Sequence, residues 1–578
     1  MLRHPTSANS QPIHEFHFIH AAPIPVRDGV RLAANLFIPR GSGKHPTMLL
    51  HTPYESGADR FLKWGAWWAR RGYATVVQDC RGCYRSEGTF HAYLHEGADT
   101  FDTLEWIASQ PWSNGKVGTW GRSYGGLYQW LVAPLGSPHL TCMAPHVFPE
   151  NYFDDCHYAG GAFQLSLSAL AAIIWVTNYA TVTNSGELFF KSRFTRHLPL
   201  IDLDVEAIGR KIPFYREWLD HQTDDAYWKA LSMAGRYRYV SVPIFQQAAW
   251  YDPYAGAQLR LWQGMRDGGK TELARNNQRI LIGPWGHNQP EGSQWGDVDF
   301  GPAADVNLLE PELRWFDHWL KGIDTGFLDG PSIQLFVMGE NRWRSEREWP
   351  LARTVFTRYY LHSGGRANSL EGDGTLDPEP PGGEEPDHFD YDPNHPVPSI
   401  GGNSSIGHWA GSGDDPVVSG PIDQRPIEQR GDVLVYTSRS LEKDLELTGP
   451  IEVVLYAASS APDTDFAVKL IDVFPDGRAI NLSDGIVRAR YRTSRERPEP
   501  LEPGEVAEYR ITMSVTSNVF KRGHRIRLDL TSSNFPRFSR NLNTGEDVAT
   551  GTRIEVAHQT VLHASRYPSH VVLPVIVE

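Results

Sequence analysis

Length, composition and charge exclude several classes of protein. A chain of 578 residues is too long for one hydrophobic core, and 40% hydrophobic with 21% charged residues is typical of a globular protein with about two to four domains. The formal net charge of −14 argues against nucleic acid or an anionic membrane as the main partner.

The N-terminal segment, the apolar runs and the cysteine count predict a cytoplasmic location. Residues 1–12 have no apolar stretch behind Arg3 and therefore no recognisable secretory signal. The longest apolar run, 165–176, is interrupted by Ser166 and Ser168 and is too short to span a bilayer. Four cysteines in so long a chain do not form a disulfide framework.

From residue 24 to residue 146, short apolar runs alternate with segments of helical periodicity. The predicted buried strands are 47–54, 73–80 and 116–120, and the predicted helices between them are 62–72 and 99–110. Continuous apolar strands that alternate with helices predict a parallel sheet covered on both faces.

Cys80 and Cys83 form a C-x-x-C pattern in QDCRGCYRSEG. A zinc or redox site would need a second pair of ligands, and Cys142 and Cys156 do not have that spacing. We therefore predict ordinary loop residues here. No metal ion and no cofactor is assigned anywhere in the chain.

The segment GRSYGG places a lone serine where a predicted strand turns into a predicted helix. Gly121, Ser123 and Gly125 form G-x-S-x-G, the nucleophile elbow of α/β-hydrolases. We expect glycines beside the serine because side chains would clash in so tight a turn. The serine would lie near a helix N-terminus, whose free N–H groups favour negative charge. The alternative is an ordinary glycine-rich turn, and the flanking strand and helix favour the elbow.

Residues 147–238 are rich in aromatic residues and have few β-like runs, which predicts a helical insertion that covers the site as a lid. The aromatic side chains of this segment would suit an aromatic group or an acyl chain, but packing between helices is an equally simple explanation. The residues concerned are Phe163, Trp175, Phe189 and Phe190.

The alternation of apolar strands with helices returns after residue 238, with predicted strands at 242–252 and 279–287 and a predicted helix at 308–322. A serine nucleophile needs a histidine that takes its proton and an acid that orients the histidine. Asp252 ends the first strand and His287 ends the second, in the chain order Ser, acid, His that this fold uses. We predict Ser123, Asp252 and His287 as a triad. His318 lies within the helix, where packing is the simpler role.

Two tyrosines are candidates for the oxyanion hole. Tyr124 follows the serine, so its backbone N–H can donate to a tetrahedral intermediate. Tyr54 follows an earlier strand, and its phenol is a candidate for the second donor, although tyrosines at strand ends also serve in packing.

After residue 350 the sequence becomes β-prone and rich in turns, which predicts an antiparallel sandwich or jelly roll. Residues 364–432 are dense in Gly, Pro, Asp and Glu, and we expect loops there. We also expect this β domain to cover one side of the site.

Several segments together resemble the cocaine esterase (CocE/NonD) family, which is related to X-Pro dipeptidyl peptidases, α-amino acid ester hydrolases and glutaryl-cephalosporin acylases. They are PVRDGVRLAANLFIPRG, HTPY, QDCRGCYRSEG, GRSYGG, AAWYD, GPWGH and WFDHWLKG. The resemblance runs from about residue 24 to the end. It implies Ser123 as nucleophile, His287 as base, Asp252 as orienting acid, and the Tyr54 hydroxyl with the Tyr124 amide as oxyanion hole.

The resemblance also implies an α/β-hydrolase domain with an inserted helical cap and a C-terminal jelly roll. We assign residues 1–146 and 239–349 to the α/β-hydrolase domain, 147–238 to the cap and 350–578 to the β domain. This division agrees with the composition changes described above.

The sequence departs from the α-amino acid ester hydrolases at their site for the substrate ammonium. Two of the three carboxylates there lie two and three residues after the triad acid, where this chain has Tyr254 and Ala255. Asp154 or Asp155 could match the third carboxylate, but one carboxylate is a weak site for a buried ammonium. We therefore do not expect a strict requirement for a free α-amine.

The leading functional hypothesis is a serine hydrolase that cleaves a carboxylic ester of a small molecule, or an activated amide, through an acyl-enzyme. An acylase or X-Pro-type peptidase acting on amide bonds would use the same triad. A ligand-binding protein with a relic serine site is the alternative from another class, because jelly rolls also host lectins. The natural substrate and the oligomeric state, a homo-oligomer included, stay open.

Overall fold

Two large β-sheets organise the chain. The first lies within residues 16–346 and the second within residues 354–576. The computed structural model describes four stretches of the chain, 9–177, 192–288, 292–404 and 419–577.

The first sheet is mostly parallel. Its strands are β1 (Phe16–Pro25), β2 (Arg31–Pro39), β3 (His45–Thr52), β4 (Ala74–Asp79), β5 (Ser113–Arg122), β6 (Leu140–His146), β7 (Ile244–Ala249), β8 (Gln278–Gly283), β9 (Ile333–Val337) and β10 (Arg342–Glu346). Their order across the sheet is β1-β2-β4-β3-β5-β6-β7-β8-β9-β10. The strands from β4 to β9 in this order run parallel, whereas β1, β2 and β10 pair in antiparallel fashion at the two edges.

Burial explains why the apolar runs identify these strands. β4, β7 and β8 are buried at every position, which requires cover on both faces of the sheet. The five strands predicted in this part of the sequence are confirmed as β3, β4, β5, β7 and β8.

The helices are listed here in chain order. They are α1 (Asp59–Ala69), α2 (Glu96–Ser109), α3 (Tyr124–Val132), α4 (Leu165–Thr177), α5 (Ser192–Thr195), α6 (Leu203–Ile208), α7 (Pro213–Asp220), α8 (Ala226–Leu231), α9 (Ala255–Gly268), α10 (Glu272–Asn276), α11 (Leu309–Lys321) and α12 (Arg425–Glu428). Short helical turns of other types are Ala133–Leu135, Tyr152–His157, Leu200–Asp202, Tyr237–Tyr239 and Ala489–Tyr491.

Helices cover both faces of the first sheet. Alternate residues of β3 illustrate this, because side chains alternate between the faces of a strand. Leu49 packs in a cluster with apolar residues of α2, α3 and α9. Met48 and Leu50 pack in another cluster with residues of α1 and α11. The helices predicted at 62–72, 99–110 and 308–322 are thus confirmed as α1, α2 and α11.

The described residues between β6 and β7 are largely helical, as the sequence predicts. They include α4 to α8, and apolar side chains of α4, α6, α7 and α8 form one buried cluster with residues near the elbow such as Tyr124. Phe163 and Trp175 belong to this cluster. Phe189 and Phe190 lie outside the described residues.

The second sheet is formed by the C-terminal part of the chain. Its strands are β11 (Thr354–His362), β12 (Thr375–Asp377), β13 (Asp387–Tyr391), β14 (Leu434–Ser438), β15 (Leu445–Gly449), β16 (Glu452–Ser459), β17 (Asp465–Val473), β18 (Ala479–Arg488), β19 (Ala507–Thr512), β20 (Thr516–Phe520), β21 (Arg525–Thr531), β22 (Ala557–Ala564) and β23 (His570–Ile576). The order β13-β22-β16-β23-β11-β12-β14-β21-β17-β18 forms its main path, and β15, β19 and β20 pair beside it. Nearly all pairs are antiparallel; β12 and β14 run parallel.

The expectation of loops throughout residues 364–432 is wrong in part. β12, β13 and α12 all lie in this stretch. β13 alternates buried and exposed residues, so that only every second side chain enters the core. Short elements with few apolar residues, flanked by Gly and Pro, do not stand out in a pattern of hydrophobicity.

Within the described residues, no helix has both the length and the apolar character needed to cross a membrane.

A buried histidine in the second sheet is held between two carboxylates. His563 Nε2 lies 2.9 Å from Oδ2 of Asp387, and Nδ1 lies 3.2 Å from Oε2 of Glu384. Burial by itself lowers the pKa of His563, but the two carboxylates outweigh burial and raise its pKa above the ordinary 6.5.

The stabilisation by His563 should decrease as the pH rises. Because the folded pKa is raised, the contribution of the imidazolium is fully present below pH 6.5 and is lost as the pH rises through the folded value. We expect His563→Gln to cost about 3 kcal/mol near pH 6, as for a broken buried ion pair, and less near pH 8.5. Melting temperatures of both proteins at both pH values measure the effect. His558→Gln, at an exposed histidine, is the control, and an equal cost at both pH values would contradict the prediction.

Candidate active site

Ser123 occupies a strained bend between β5 and α3. β5 ends at Arg122 and α3 begins at Tyr124, and Ser123 between them has φ 56° and ψ −121°. A positive φ in a residue with a Cβ costs on the order of 1–3 kcal/mol and persists where the surroundings enforce it. Here Ser123 N donates to the His146 carbonyl at 3.0 Å, and the Ser123 carbonyl accepts from Gly126 N at 2.8 Å.

The glycines around Ser123 permit close contacts of the backbone. Gly121 has φ 138°, and a Cβ there would lie 2.8 Å from the Gly125 carbonyl oxygen. A Cβ on Gly125 itself would lie 3.1 Å from the side chain of Leu50, a milder contact. A Cβ on Gly126 would lie 2.8 Å from the His146 carbonyl oxygen. The steric requirement predicted for Gly121 is confirmed, and the second tight backbone contact is at Gly126 instead of Gly125.

His287 and Asp252 form a hydrogen-bonded pair. They follow the carboxyl ends of β8 and β7, which neighbour each other in the sheet. His287 Nδ1 lies 2.5 Å from Oδ2 of Asp252, whose side chain is fully buried. The other oxygen of Asp252 accepts from Tyr254 N at 2.8 Å. A carboxylate accepts the Nδ1 proton, which leaves Nε2 of His287 as a proton acceptor.

The guanidinium of Arg122 forms a hydrogen bond with the backbone of His287. Its Nη2 donates to the His287 carbonyl oxygen at 2.7 Å. Burial lowers the pKa of Arg122, and the nearby carboxylates of Asp252 and Glu312 act in the opposite direction. This arginine, the second residue of GRSYGG, was not singled out in the sequence.

Both predicted oxyanion-hole tyrosines lie beside Ser123. Tyr124 is the first residue of α3, a position whose N–H makes no intrahelical hydrogen bond. Its hydroxyl donates to Glu96, a carboxyl whose pKa burial raises to about 7. Burial also raises the pKa of Tyr54, while hydrogen bonding with Trp175 and Ser123 acts in the opposite direction. Tyr54 and Ser123 line the same cavity.

One cavity of about 800 Å³ brings these groups together. Ser123, Tyr54 and His287 line it, and Asp252 lies behind His287. Its apolar wall includes side chains of α1 and α4 as well as strand residues: Leu50, Phe61, Trp64, Trp120, Leu167, Leu170, Ile174 and Trp175. Among the described residues the wall includes none from the second sheet domain. The expectation that this domain covers one side of the site stays a prediction.

The second domain packs against the helical segment. A Cβ on Gly160 would lie 1.9 Å from the carbonyl oxygen of Ile486 on β18, so the two backbones are in direct contact. Ser166 N at the start of α4 donates to the Arg537 carbonyl at 3.3 Å. The β domain therefore contacts α4, one of the helices that line the cavity.

A polar network at the floor of the cavity was missed in the sequence. His146 Nδ1 accepts from Gln247 N at 3.0 Å, so Nε2 carries the proton and donates to Oε1 of Glu312 at 2.9 Å. Gln247 Nε2 donates to the same oxygen at 3.0 Å. His146 ends β6, as Asp252 and His287 follow β7 and β8, and this shared position was the signal that could have identified it.

Several other candidates lie outside the cavity. Asp155 pairs with Arg260 at 2.5 Å, and Asp154 accepts from Gly160 N at 3.0 Å. In the described part of the chain, neither carboxylate lines the cavity, and Phe163 does not line it either. His318 contacts the neighbouring Trp319 ring on α11.

The cysteines of the C-x-x-C pattern follow β4 in a turn, as predicted. Cys80 and Cys83 are free and buried, and burial raises the pKa of both thiols. Among the described residues, no group of three or more His, Cys, Asp or Glu side chains could hold a metal ion.

Comparison with known proteins agrees with this architecture. Residues 28–289 match the X-Pro dipeptidyl-peptidase (S15 family) model, and residues 325–572 match the model of the X-Pro dipeptidyl-peptidase C-terminal non-catalytic domain. The chain is 38% identical to a cocaine esterase from Rhodococcus sp. over 96% of this chain and 97% of that protein.

Two solved structures are similar over nearly the whole chain. One is an aminopeptidase from a marine sediment archaeon of the Thaumarchaeota, with a TM-score of 0.80 and 25% identity, covering 99% of this chain and 98% of the other. The other is an α-amino acid ester hydrolase, with a TM-score of 0.78, 25% identity and the same coverage. The chain therefore belongs to the cocaine esterase (CocE/NonD) family, which confirms the resemblance seen in the sequence, and it is an esterase-type serine hydrolase.

Proposed function

We propose that the chain cleaves a carboxylic ester of a small molecule through an acyl-enzyme formed on Ser123. One observation carries the proposal. The strained Ser123 shares a cavity with His287, whose Nδ1 is held by the buried Asp252. The histidine thus has Nε2 as the proton acceptor that a serine nucleophile needs.

The reaction divides into two steps with the same groups. Ser123 Oγ attacks the ester carbonyl while His287 Nε2 takes its proton, and the oxyanion accepts hydrogen bonds from the Tyr54 hydroxyl and the Tyr124 N–H. His287 then gives the proton to the leaving alcohol. In the second step His287 takes a proton from the water that attacks the acyl-enzyme, and it returns that proton to Ser123 Oγ as the acid leaves.

The proposal extends to the substrate and to the helical segment. We infer that residues 147–238 act as a cap, because α4 supplies Leu167, Leu170 and Ile174 to the cavity wall. A volume of about 800 Å³ with aromatic and aliphatic walls suits a small ester that carries an aromatic or acyl group.

An acylase or X-Pro-type peptidase is the second candidate. The S15 match and the similar aminopeptidase structure favour it. The site for a substrate amine argues against this candidate. The two carboxylates that could bind an amine are already in ion pairs, Asp155 with Arg260 and Asp154 with Arg495. At the two positions where the α-amino acid ester hydrolases have their other carboxylates, this chain has Tyr254 and Ala255, which are buried and are not carboxylates.

Labelling with a fluorophosphonate probe tests the proposal. We expect covalent modification of the native chain at Ser123, identified by peptide mapping, and none after heat denaturation. A folded protein that stays unlabelled would favour a ligand-binding protein with a relic serine site. A panel of esters and amides with the same acyl group then separates an esterase from an acylase or peptidase.

Removing the Tyr54 hydroxyl should impair catalysis with little change in folding. We expect Tyr54→Phe to lower kcat by about 10²–10³-fold, the cost of one oxyanion-hole donor. Initial rates on a p-nitrophenyl ester measure the loss. Tyr128→Phe is the matched control, because this buried tyrosine donates to the Leu49 carbonyl and is not part of the cavity wall described here. Equal rates for the two variants would remove Tyr54 from the oxyanion hole.

Two further assignments accompany the proposal. We infer a jelly roll for the C-terminal domain, supported by its almost entirely antiparallel pairing. We infer a cytoplasmic location, supported by four cysteines that are all free and buried.

A further inference from the structure

A second cavity lies at the amino ends of the strands of the first sheet, whereas Ser123 lies at their carboxyl ends. It measures about 480 Å³ and is formed at the amino end of β8, the last turn of α9, α10 and the chain just after β10. His287 follows the carboxyl end of β8, whereas Arg279 lies at its amino end. The six residues of β8 span about 20 Å, so the two cavities are separate.

Four arginines line this cavity, which we call the arginine pocket: Arg266, Arg275, Arg279 and Arg347. Backbone carbonyls orient three of the guanidiniums. Arg266 donates to the carbonyl of Arg347, Arg275 to that of Gly269 and Arg279 to that of Leu328, each at 2.8 Å. A carbonyl dipole positions a guanidinium but does not neutralise its charge.

The positive charge of the arginine pocket is not compensated by ion pairs. Within the described stretches, no carboxylate lies within 4.0 Å of any of the four guanidiniums, although ion pairs are frequent elsewhere in the chain. Two carboxylates line the pocket and are engaged otherwise: Asp267 accepts from Gln263 Nε2 at 2.9 Å, and Glu348 accepts from Ala352 N at 2.8 Å. Four cations and two anions leave a net positive cavity.

Arg279 is the deepest of the four. The residue is only 7% exposed, and its Nε is buried without a hydrogen-bond partner among the described residues. Burial lowers the pKa of Arg279, and the like charge of Arg266 lowers it further. A buried cation beside another cation is costly unless an anion compensates it.

We propose that the arginine pocket binds a small polyanion of the phosphate class. The planar fork of a guanidinium matches the oxygens of a phosphate with two parallel hydrogen bonds. The volume exceeds what a single phosphate fills and is in the range of small-ligand sites, which favours two or more linked phosphate groups. The concave shape favours a small molecule over a protein surface. Since the whole chain carries a net charge of −14, attraction of such an anion is a local property of this pocket.

Calorimetric titration of the full-length chain with inorganic tripolyphosphate tests the proposal. We expect one molecule to bind per chain, and Arg279→Gln to weaken binding by about 10- to 100-fold, as for the loss of a charge-assisted hydrogen bond. Arg347→Gln removes an exposed side chain with little effect on folding and should also weaken binding. Arg522→Gln, at an exposed arginine of the second domain, is the control and should bind like the wild type.

Further titrations identify the chemistry of the ligand. Citrate should bind more weakly than tripolyphosphate, and citrate binding as tight or tighter would overturn the assignment to the phosphate class. A nucleoside triphosphate that binds more tightly than tripolyphosphate would indicate a phosphorylated metabolite, and equal affinities would indicate recognition of the phosphates alone. No binding of tripolyphosphate at millimolar concentration, or binding that Arg347→Gln leaves unchanged, would refute the proposal. Phosphonate labelling of Ser123 in each variant shows independently that the protein is folded.

Discussion

Replacement of Ser123 with alanine is expected to lower kcat on a p-nitrophenyl ester by about 10⁴–10⁶-fold with little change in KM. The hydroxyl is the group that forms the acyl-enzyme, so no other side chain can take over the covalent step. The cavity wall and the oxyanion donors remain, and they leave a residual rate above that of water.

The loss must be separated from misfolding, because position 123 is strained. Alanine has the same Cβ as serine and meets the same positive φ, so we expect a melting temperature close to that of the wild type. Ser109→Ala, at an exposed serine in the last turn of α2, is the control that should retain full activity. Ester hydrolysis by Ser123→Ala at the rate of the control would refute the proposed mechanism.

Replacement of Asp252 with asparagine is expected to lower kcat by about 10⁴-fold. The carboxylate accepts the Nδ1 proton of His287 at 2.5 Å and thereby keeps Nε2 free to take a proton. An amide can donate to Nδ1 instead, which places the proton of the neutral imidazole on Nε2. The histidine then cannot act as a base, although the geometry of the pair is retained.

Kinetics of phosphonate labelling and of ester hydrolysis, measured on the same preparation, check this prediction. Both rates should fall together, since both need a deprotonated Nε2. Asp317→Asn is the matched control, because Asp317 is equally buried and accepts from the Tyr73 hydroxyl at 2.6 Å away from the described cavity wall. That variant should lose stability and keep kcat. A loss below about tenfold for Asp252→Asn would show that this carboxylate does not orient the base.

The local pattern of the sequence accounts for most of the first sheet. Parallel strands buried on both faces require unbroken apolar runs, as in β4, β7 and β8, and such runs are visible without knowledge of the fold. The same is true of Ser123, Asp252 and His287. Each is a polar residue at the end of an apolar strand, so that its position in the site follows from its own short segment. Their catalytic roles stay predictions.

Sequence pattern failed where an element is short or alternating. β12 has three residues and β13 has five with every second one buried, so neither exceeds the hydrophobicity of the surrounding loops. The steric need for a glycine at position 126 was also not predicted. Its contact is with the His146 carbonyl on β6, and only the pairing of β5 with β6 brings that atom near.

The sequence by itself determined the class of the fold, the two sheet regions and the strand-end positions of Ser123, Asp252 and His287, because periodicity and strand-end chemistry are properties of short segments. Only the tertiary structure decided which side chains meet across the chain. The Glu312–His146 contact joins residues 166 positions apart, and the arginine pocket collects side chains from α9, α10, β8 and the chain after β10. Only the tertiary structure also shows that the described cavity wall contains no residue of the β domain. These features depend on the order of strands in the sheet and on how helices pack over it, and no single segment encodes that order.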